Sequence, residues 1–156
     1  MGAGDVVSRF FERSWIDAPA RPGKMLGAFC ATLVPDVHPY VLMNYAGERR
    51  SVLTLAHELG HGLHGALAQD LGLLNARTPL TLAETASVFA ETIVFGRLLE
   101  QTGTPESRLS LLAESIEAGL ADGTDGTGRA GSETVLALAR HYSLGEHDTP
   151  EKVYRW

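Results

Sequence analysis

The 156-residue chain has a single cysteine, Cys30, so it can form no internal disulfide, and a reducing compartment is the simpler expectation. It also has no long apolar run. The longest uncharged apolar stretch, Met25 to Pro35, falls well short of the roughly 20 residues that a membrane-spanning helix needs. Basic residues are in deficit as well, 13 against 19 acids, for a formal charge of −6. That balance argues against nucleic-acid binding by general charge, which depends on lysines and arginines neutralising phosphates. Small clusters such as Arg49-Arg50 do not reverse it. The first turns carry Asp5, Arg9, Glu12 and Arg13, which leaves no room for the apolar core of a secretion signal, and Val6 stands where a myristoylation signal wants Ser or Thr. A cytoplasmic protein with no membrane attachment is therefore expected.

What is present is globular in character: 44% hydrophobic and 21% charged residues, in a chain of a size that buries roughly 70% of its unfolded surface. Residues 5–16 mix apolar and charged positions at helical spacing, and Ala18-Pro19-Ala20-Arg21-Pro22-Gly23-Lys24 breaks that pattern. Two runs rich in β-branched and aromatic residues, Gly27 to Val34 and Tyr40 to Tyr45, predict a β-hairpin with a long loop. From Ser51, a candidate N-cap, to about Gln69, apolar residues recur at steps of three and four, the helical signature. Thr81 and Glu84 fit a capping box for a second helix over about 82–102, and Thr104-Pro105 opens a third over about 105–120. The fold class expected is α+β and predominantly helical. Residues 1–121 would form the working domain. Residues 122–156 would form a Gly-rich loop and divergent tail with a short helix near 132–142.

Chemistry concentrates on the first long helix. His57-Glu58-Leu59-Gly60-His61 sets two imidazoles four residues apart, so both rings project from one face within reach of a single ion. Glu58 can stand beside such an ion without ligating it. Neutral imidazole suits Zn²⁺, and a catalytic zinc keeps one position open beyond three protein ligands. On the second helix, Glu84 and Glu91 lie two turns apart on one face among Leu82, Ala83, Ala86, Val88, Phe89 and Ala90. Acids on such a face are costly to bury unpaired. Either both reach solvent at the helix edge, or a cation accounts for them. If the helices pack antiparallel, Glu84 can supply a third ligand while Glu91 accepts a hydrogen bond from the far nitrogen of a histidine ligand.

Several segments together carry a family resemblance: Trp15-Ile16-Asp17-Ala18-Pro19, Arg21-Pro22-Gly23-Lys24, Gly27-Ala28-Phe29-Cys30, His38-Pro39-Tyr40, Asn44-Tyr45, Thr54 to His61, and Ala83 to Glu91. Over about residues 8–118 the chain resembles the oligoendopeptidase F branch of the thimet-oligopeptidase family of zinc peptidases. The resemblance implies a mostly helical enzyme with a small sheet beside the metal, and short unfolded peptides as substrates. It implies one zinc per chain on His57, His61 and Glu84, with Glu58 as general base. Family members are several times longer and carry a later His- and Tyr-containing segment that stabilises the tetrahedral intermediate. No such motif follows residue 118, so His141, Tyr142, His147 and Tyr154 are not assigned that role.

Other residues have plainer readings. His64 lies near the metal-binding face and is expected to support or pack against the ligands rather than to bind metal. An edge strand at Gly27, Ala28 and Phe29 could hold a substrate backbone by strand addition. His38 is expected in a loop, Cys30 to be buried and inert, and Asp122 and Asp125 to belong to a linker, since they lack the acid spacing of an EF-hand. The function expected is a zinc endopeptidase core for short peptides, truncated in the sense of lacking much of the channel, with an apolar surface left open for self-association. The alternatives are a noncatalytic zinc-binding helical module acting in an assembly and a metal-free interaction protein.

Overall fold

The computed structural model describes residues 2–122, with side chains described to residue 116. Among the described residues, one compact unit runs to Leu98 and a second begins at Leu99. The first unit runs α1 (Ala3–Glu12), β1 (Ile16–Pro19), β2 (Phe29–Ala31), β3 (Tyr40–Tyr45), α2 (Arg49–Ala68), a 3-10 turn (Gln69–Leu71) and most of α3 (Leu80–Gln101). α4 (Pro105–Asp122) belongs to the second. Among the described residues no helix is long and apolar enough to cross a membrane.

α1 begins at Gly2, whose N–H donates to the Asp5 carboxylate at 3.0 Å. Val6 and Phe10, one turn apart, turn the same face inward and are fully buried with Val41 and Leu59. Each such burial contributes roughly 1.5–3 kcal/mol relative to exposure. α1 approaches α2 at Gly62, where an added Cβ would stand 2.5 Å from the Phe10 ring. Glycine at that position is a packing requirement, because the ring occupies the space of a side chain.

The sheet has the order β1-β3-β2, with β1 parallel and β2 antiparallel to β3. On the central strand, Val41 and Met43 alternate into the core as the two-residue period requires. The hairpin pairing of β2 with β3 is as expected, but β2 covers three residues rather than the whole run from Gly27 to Val34. β1 is a finding the sequence did not announce. Its pairing shifts register between Asp17 and Pro19, and Lys24 holds its far end. The Lys24 Nζ donates to the carbonyls of Asp17 (2.8 Å), Pro19 (2.9 Å) and Met43 (2.6 Å), and lies 3.2 Å from Asp17 Oδ1.

Two caps differ from expectation. α2 starts two residues earlier than Ser51, with Glu48 at the N-cap, and the buried Ser51 hydroxyl instead accepts the Ala46 N–H at 3.1 Å. α3 starts at Leu80, so Thr81 lies within it; the Pro79 carbonyl accepts the N–H groups of Leu82 and Ala83. In the second unit, Thr104 does cap α4, its Oγ1 accepting the Ser107 N–H at 3.2 Å. The expected 132–142 helix, the glycine-rich stretch after Asp122 and the late His and Tyr residues lie outside the described residues.

Candidate metal centre

α2 carries His57 and His61 on one face, their ring centroids 4.9 Å apart and nearly perpendicular. α3 meets α2 at Gly60, where an added Cβ would stand 2.6 Å from Ser87 Cα. That approach brings Glu84 to the histidines. Glu84 Oε2 lies 3.3 Å from His57 Nε2 and 3.6 Å from His61 Nε2, and one ligand atom from each residue falls within 4.8 Å of the others. Ligands held 2.0–2.1 Å from a tetrahedral ion stand about 3.3–3.4 Å apart, so both carboxylate edges of the triangle are near the length that an ion requires.

The backs of these groups are also held. His57 Nδ1 lies 3.2 Å from Glu91 Oε2, leaving Nε2 to face Glu84. The His61 ring hydrogen-bonds the Ala83 carbonyl. The buried Ser87 hydroxyl sits 3.0 Å from Glu84 Oε2 and 2.9 Å from the Glu84 carbonyl, so its one proton is shared between them. Fixing the far side of a ligand in this way sets its tautomer and direction. Two imidazole nitrogens and one carboxylate oxygen, converging and oriented, form a donor set that fits Zn²⁺.

Electrostatics separates the two rings. The hydrogen bond that His57 donates to Glu91 raises the His57 pKa against the opposing effect of burial. Burial lowers that of His61, outweighing the attraction of Glu84. Glu58 is buried at 7% exposure, and this desolvation pushes its carboxyl up, with Glu84 adding to the effect and His57 and the Cys30 backbone hydrogen bond opposing it. A carboxyl raised by burial is better matched to giving and taking a proton near neutral pH.

A cavity of about 760 Å³ opens over this cluster and is lined by His57, Glu58, His61 and Glu84 together with Ala28 and, on β2, Phe29 and Cys30. His64 lines the same cavity but lies outside the three-residue cluster. Gly27 is not among the lining residues; its carbonyl accepts the Asn44 Nδ2–H at 3.1 Å. Cys30 is half-buried, and burial first, then Glu58, pushes its thiol up to about 12 against the Thr32 hydroxyl. His38, expected simply in a loop, stacks on Trp15 with ring centroids 4.1 Å apart. Sequence reasoning passed over Ser87 and Arg77 as site residues. Ser87 carried a signal in its spacing from Glu84, whereas Arg77 reaches the cavity through a loop and carried none.

The model of peptidase family M3 matches residues 4–136. The chain belongs to peptidase family M3. It is 31% identical to the chromosomal oligoendopeptidase F of Lactococcus lactis subsp. cremoris over 113 residues, 72% of this chain and 19% of that one. It is 30% identical to the group B oligopeptidase PepB of Streptococcus agalactiae over 112 residues, 71% and 18% of the two chains. Among solved structures, a Chlamydophila abortus protein described as a peptidase superposes with a TM-score of 0.68 at 25% identity, over 85% of this chain and 24% of that one. This M3 chain thus spans about a fifth of the length of the curated relatives it matches. M3 is a metallopeptidase family, and the His57, His61 and Glu84 group is one that could hold its metal. The family match also reaches beyond the 8–118 span over which the resemblance was legible.

Proposed function

We propose that this M3 chain is the catalytic core of a zinc-dependent endopeptidase that hydrolyses short peptides in the cytoplasm, and that it is a partial form of a longer catalytic fold. The observation that carries the reading is the convergence of His57, His61 and Glu84 from two helices beside the buried Glu58. His57, His61 and Glu84 would hold one zinc, which when bound supplies a Lewis acid that makes water nucleophilic near neutral pH. Glu58 takes the proton of the attacking water and delivers it to the leaving amine, its raised pKa suiting both transfers. Glu91 and Ser87 keep His57 and Glu84 aimed, and His64 supports the same wall. Ala28 and Phe29, lining the cavity at the start of the edge strand β2, hold the substrate backbone by strand addition, and Gly27, at positive φ, shapes the bend that leads into that edge.

Leu26, Leu33, Leu74 and Leu80, exposed at 71% or more, make self-association of the isolated chain the expected behaviour. The short span of the chain relative to its relatives favours a second reading, a noncatalytic zinc-binding module acting in an assembly. One experiment separates the two. Zinc content and hydrolysis of a mixed set of short peptides are measured for the chain and for Glu58→Gln. An enzyme loses roughly 10²–10⁴ in rate in the variant while keeping its zinc. Zinc without hydrolysis in either sample supports the module, and no zinc in either refutes both.

A further inference from the structure

The cavity over the metal cluster has one feature that the hydrolytic reading does not use. Among the described residues lining it, Arg77 is the single lysine or arginine. It lies on the segment between the 3-10 turn and α3. That segment is fastened on one side by a turn in which Asn75 and Ala76 donate to the Gly72 carbonyl (3.1 and 2.9 Å). On the other side Pro79 accepts from the first turn of α3. The groups of the cluster itself have partners: His57 has Glu84 and Glu91, His61 has Glu84, and Glu58 has the Cys30 backbone. No hydrogen bond or ion pair engages the Arg77 guanidinium among the described residues.

The charges of the cavity make this unpaired group informative. Glu58 and Glu84 are its acids, and a divalent ion would offset their two negative charges, leaving the Arg77 cation in excess. Apolar side chains line the same cavity. Leu73 and Leu80 flank it along the chain, and Leu33 and Val34 line the same cavity, all four exposed at 41% or more. A guanidinium and exposed apolar side chains lining one cavity match a ligand that carries both a carboxylate and an apolar side chain, because the fork of N–H donors meets two carboxylate oxygens at once.

We propose that Arg77 binds a carboxylate of the peptide substrate, with Leu73, Leu80, Leu33 and Val34 receiving the adjoining apolar side chain. This rests on the peptidase reading above and deepens it by naming the substrate class: short peptides that present a negative group and an apolar residue near the bond to be cut. The carboxylate can be the peptide's C-terminus or an acidic side chain.

The test is equilibrium binding by fluorescence anisotropy, on the zinc-supplemented full chain carrying Glu58→Gln so that no peptide is consumed. Three N-terminally labelled hexapeptides with apolar residues are compared: one with a free C-terminus, one amidated, and one amidated with a glutamate near its end. Against the amidated peptide, one or both carboxylate forms should bind roughly five- to tenfold more tightly, the range for a charge-assisted contact at a partly solvated site. Which form gains identifies the source of the carboxylate. Arg77→Gln, at an exposed loop position that asks nothing of the core, should erase that preference while leaving the amidated peptide unchanged. Arg77→Lys should restore part of it, since charge remains while the fork is lost. Binding of all three peptides with equal affinity, or an equal loss for all three in Arg77→Gln, overturns the proposal while leaving the peptidase reading intact. Failure of every peptide to bind overturns both.

Discussion

The close approach at Gly60 offers the sharpest test of how the two helices build the centre. An alanine there would place its Cβ 2.6 Å from Ser87 Cα, 2.7 Å from the Ala86 carbonyl oxygen and 3.0 Å from Ala90 Cβ. Two of those atoms are backbone, so no rotamer change relieves the overlap. Ordinary contact begins at 3.4 Å, and the helices must separate by about 0.8 Å to reach it. Two effects oppose each other. Alanine is the better helix former by about 0.8–1 kcal/mol, whereas overpacking typically costs 1–3 kcal/mol and here falls toward the upper end because backbone must move. A net loss of about 1–2 kcal/mol follows, or a melting temperature lower by about 3–8 °C for a chain of this length. The larger effect should be on metal. Ligand distances in a working site hold to about 0.2 Å, and a shift of α3 carries Glu84 away from both histidines. Zinc affinity should fall by about 10–100-fold, as when a residue that orients a ligand is lost. Thermal melts and competitive zinc titration of Gly60→Ala supply both numbers, with Gly4→Ala as a control, since a Cβ there meets nothing within 4 Å. If Gly60→Ala melts at or above the unsubstituted chain and binds zinc equally well, the packing argument is wrong.

Three further outcomes are expected. Glu84→Ala should collapse zinc affinity, whereas Glu91→Ala, which removes only the partner of His57 Nδ1, should weaken it by about 10–100-fold; comparable losses in a chelator competition would mean that the ligand has been assigned to the wrong turn. Cys30, with its thiol raised to about 12, should alkylate with iodoacetamide at pH 8 about 10³-fold more slowly in the folded chain than in urea, and a folded rate within tenfold of the unfolded one contradicts its burial beside Glu58. Asp17 is held at about 2, below its ordinary 3.8, first by its hydrogen bond to Arg21 and then by Lys24. A depressed folded pKa contributes stability that is complete above about pH 4 and lost as pH falls toward 2. Urea unfolding across pH 2–6 should therefore decline less steeply for Asp17→Asn, and parallel curves would rule the contribution out.

The helices and the grouping of His57, His61 and Glu84 were legible because their signals are local. The three- and four-residue apolar steps of α2, the four-residue spacing of His57 and His61 and the seven-residue spacing of Glu84 and Glu91 follow from helical geometry alone. What escaped the sequence depends on distant partners. β1 has four residues and an interrupted pairing, Asp17 to Pro19 shifting register, and it is a strand because β3 and Lys24 pair with it from further along the chain. Ser51 and Thr81 looked like caps by residue type, yet helix starts are decided by which carbonyl is free to accept, here those of Glu48 and Pro79. Arg77 and the stack of Trp15 on His38 likewise come together only through tertiary structure.

The buried ammonium of Lys24 has a consequence for chemical labelling. All three of its N–H groups are spent on carbonyls, and its side chain is 2% exposed. An acylating reagent must reach the amine nitrogen, which is enclosed by the carbonyls of Asp17, Pro19 and Met43 and becomes accessible only once they have let go. Lys24 is one of two lysines in the chain, so peptide mass readily locates its modification. Its acylation half-life would then work as a clock for the parting of β1 from β3, timing local opening at the sheet edge without any probe being introduced.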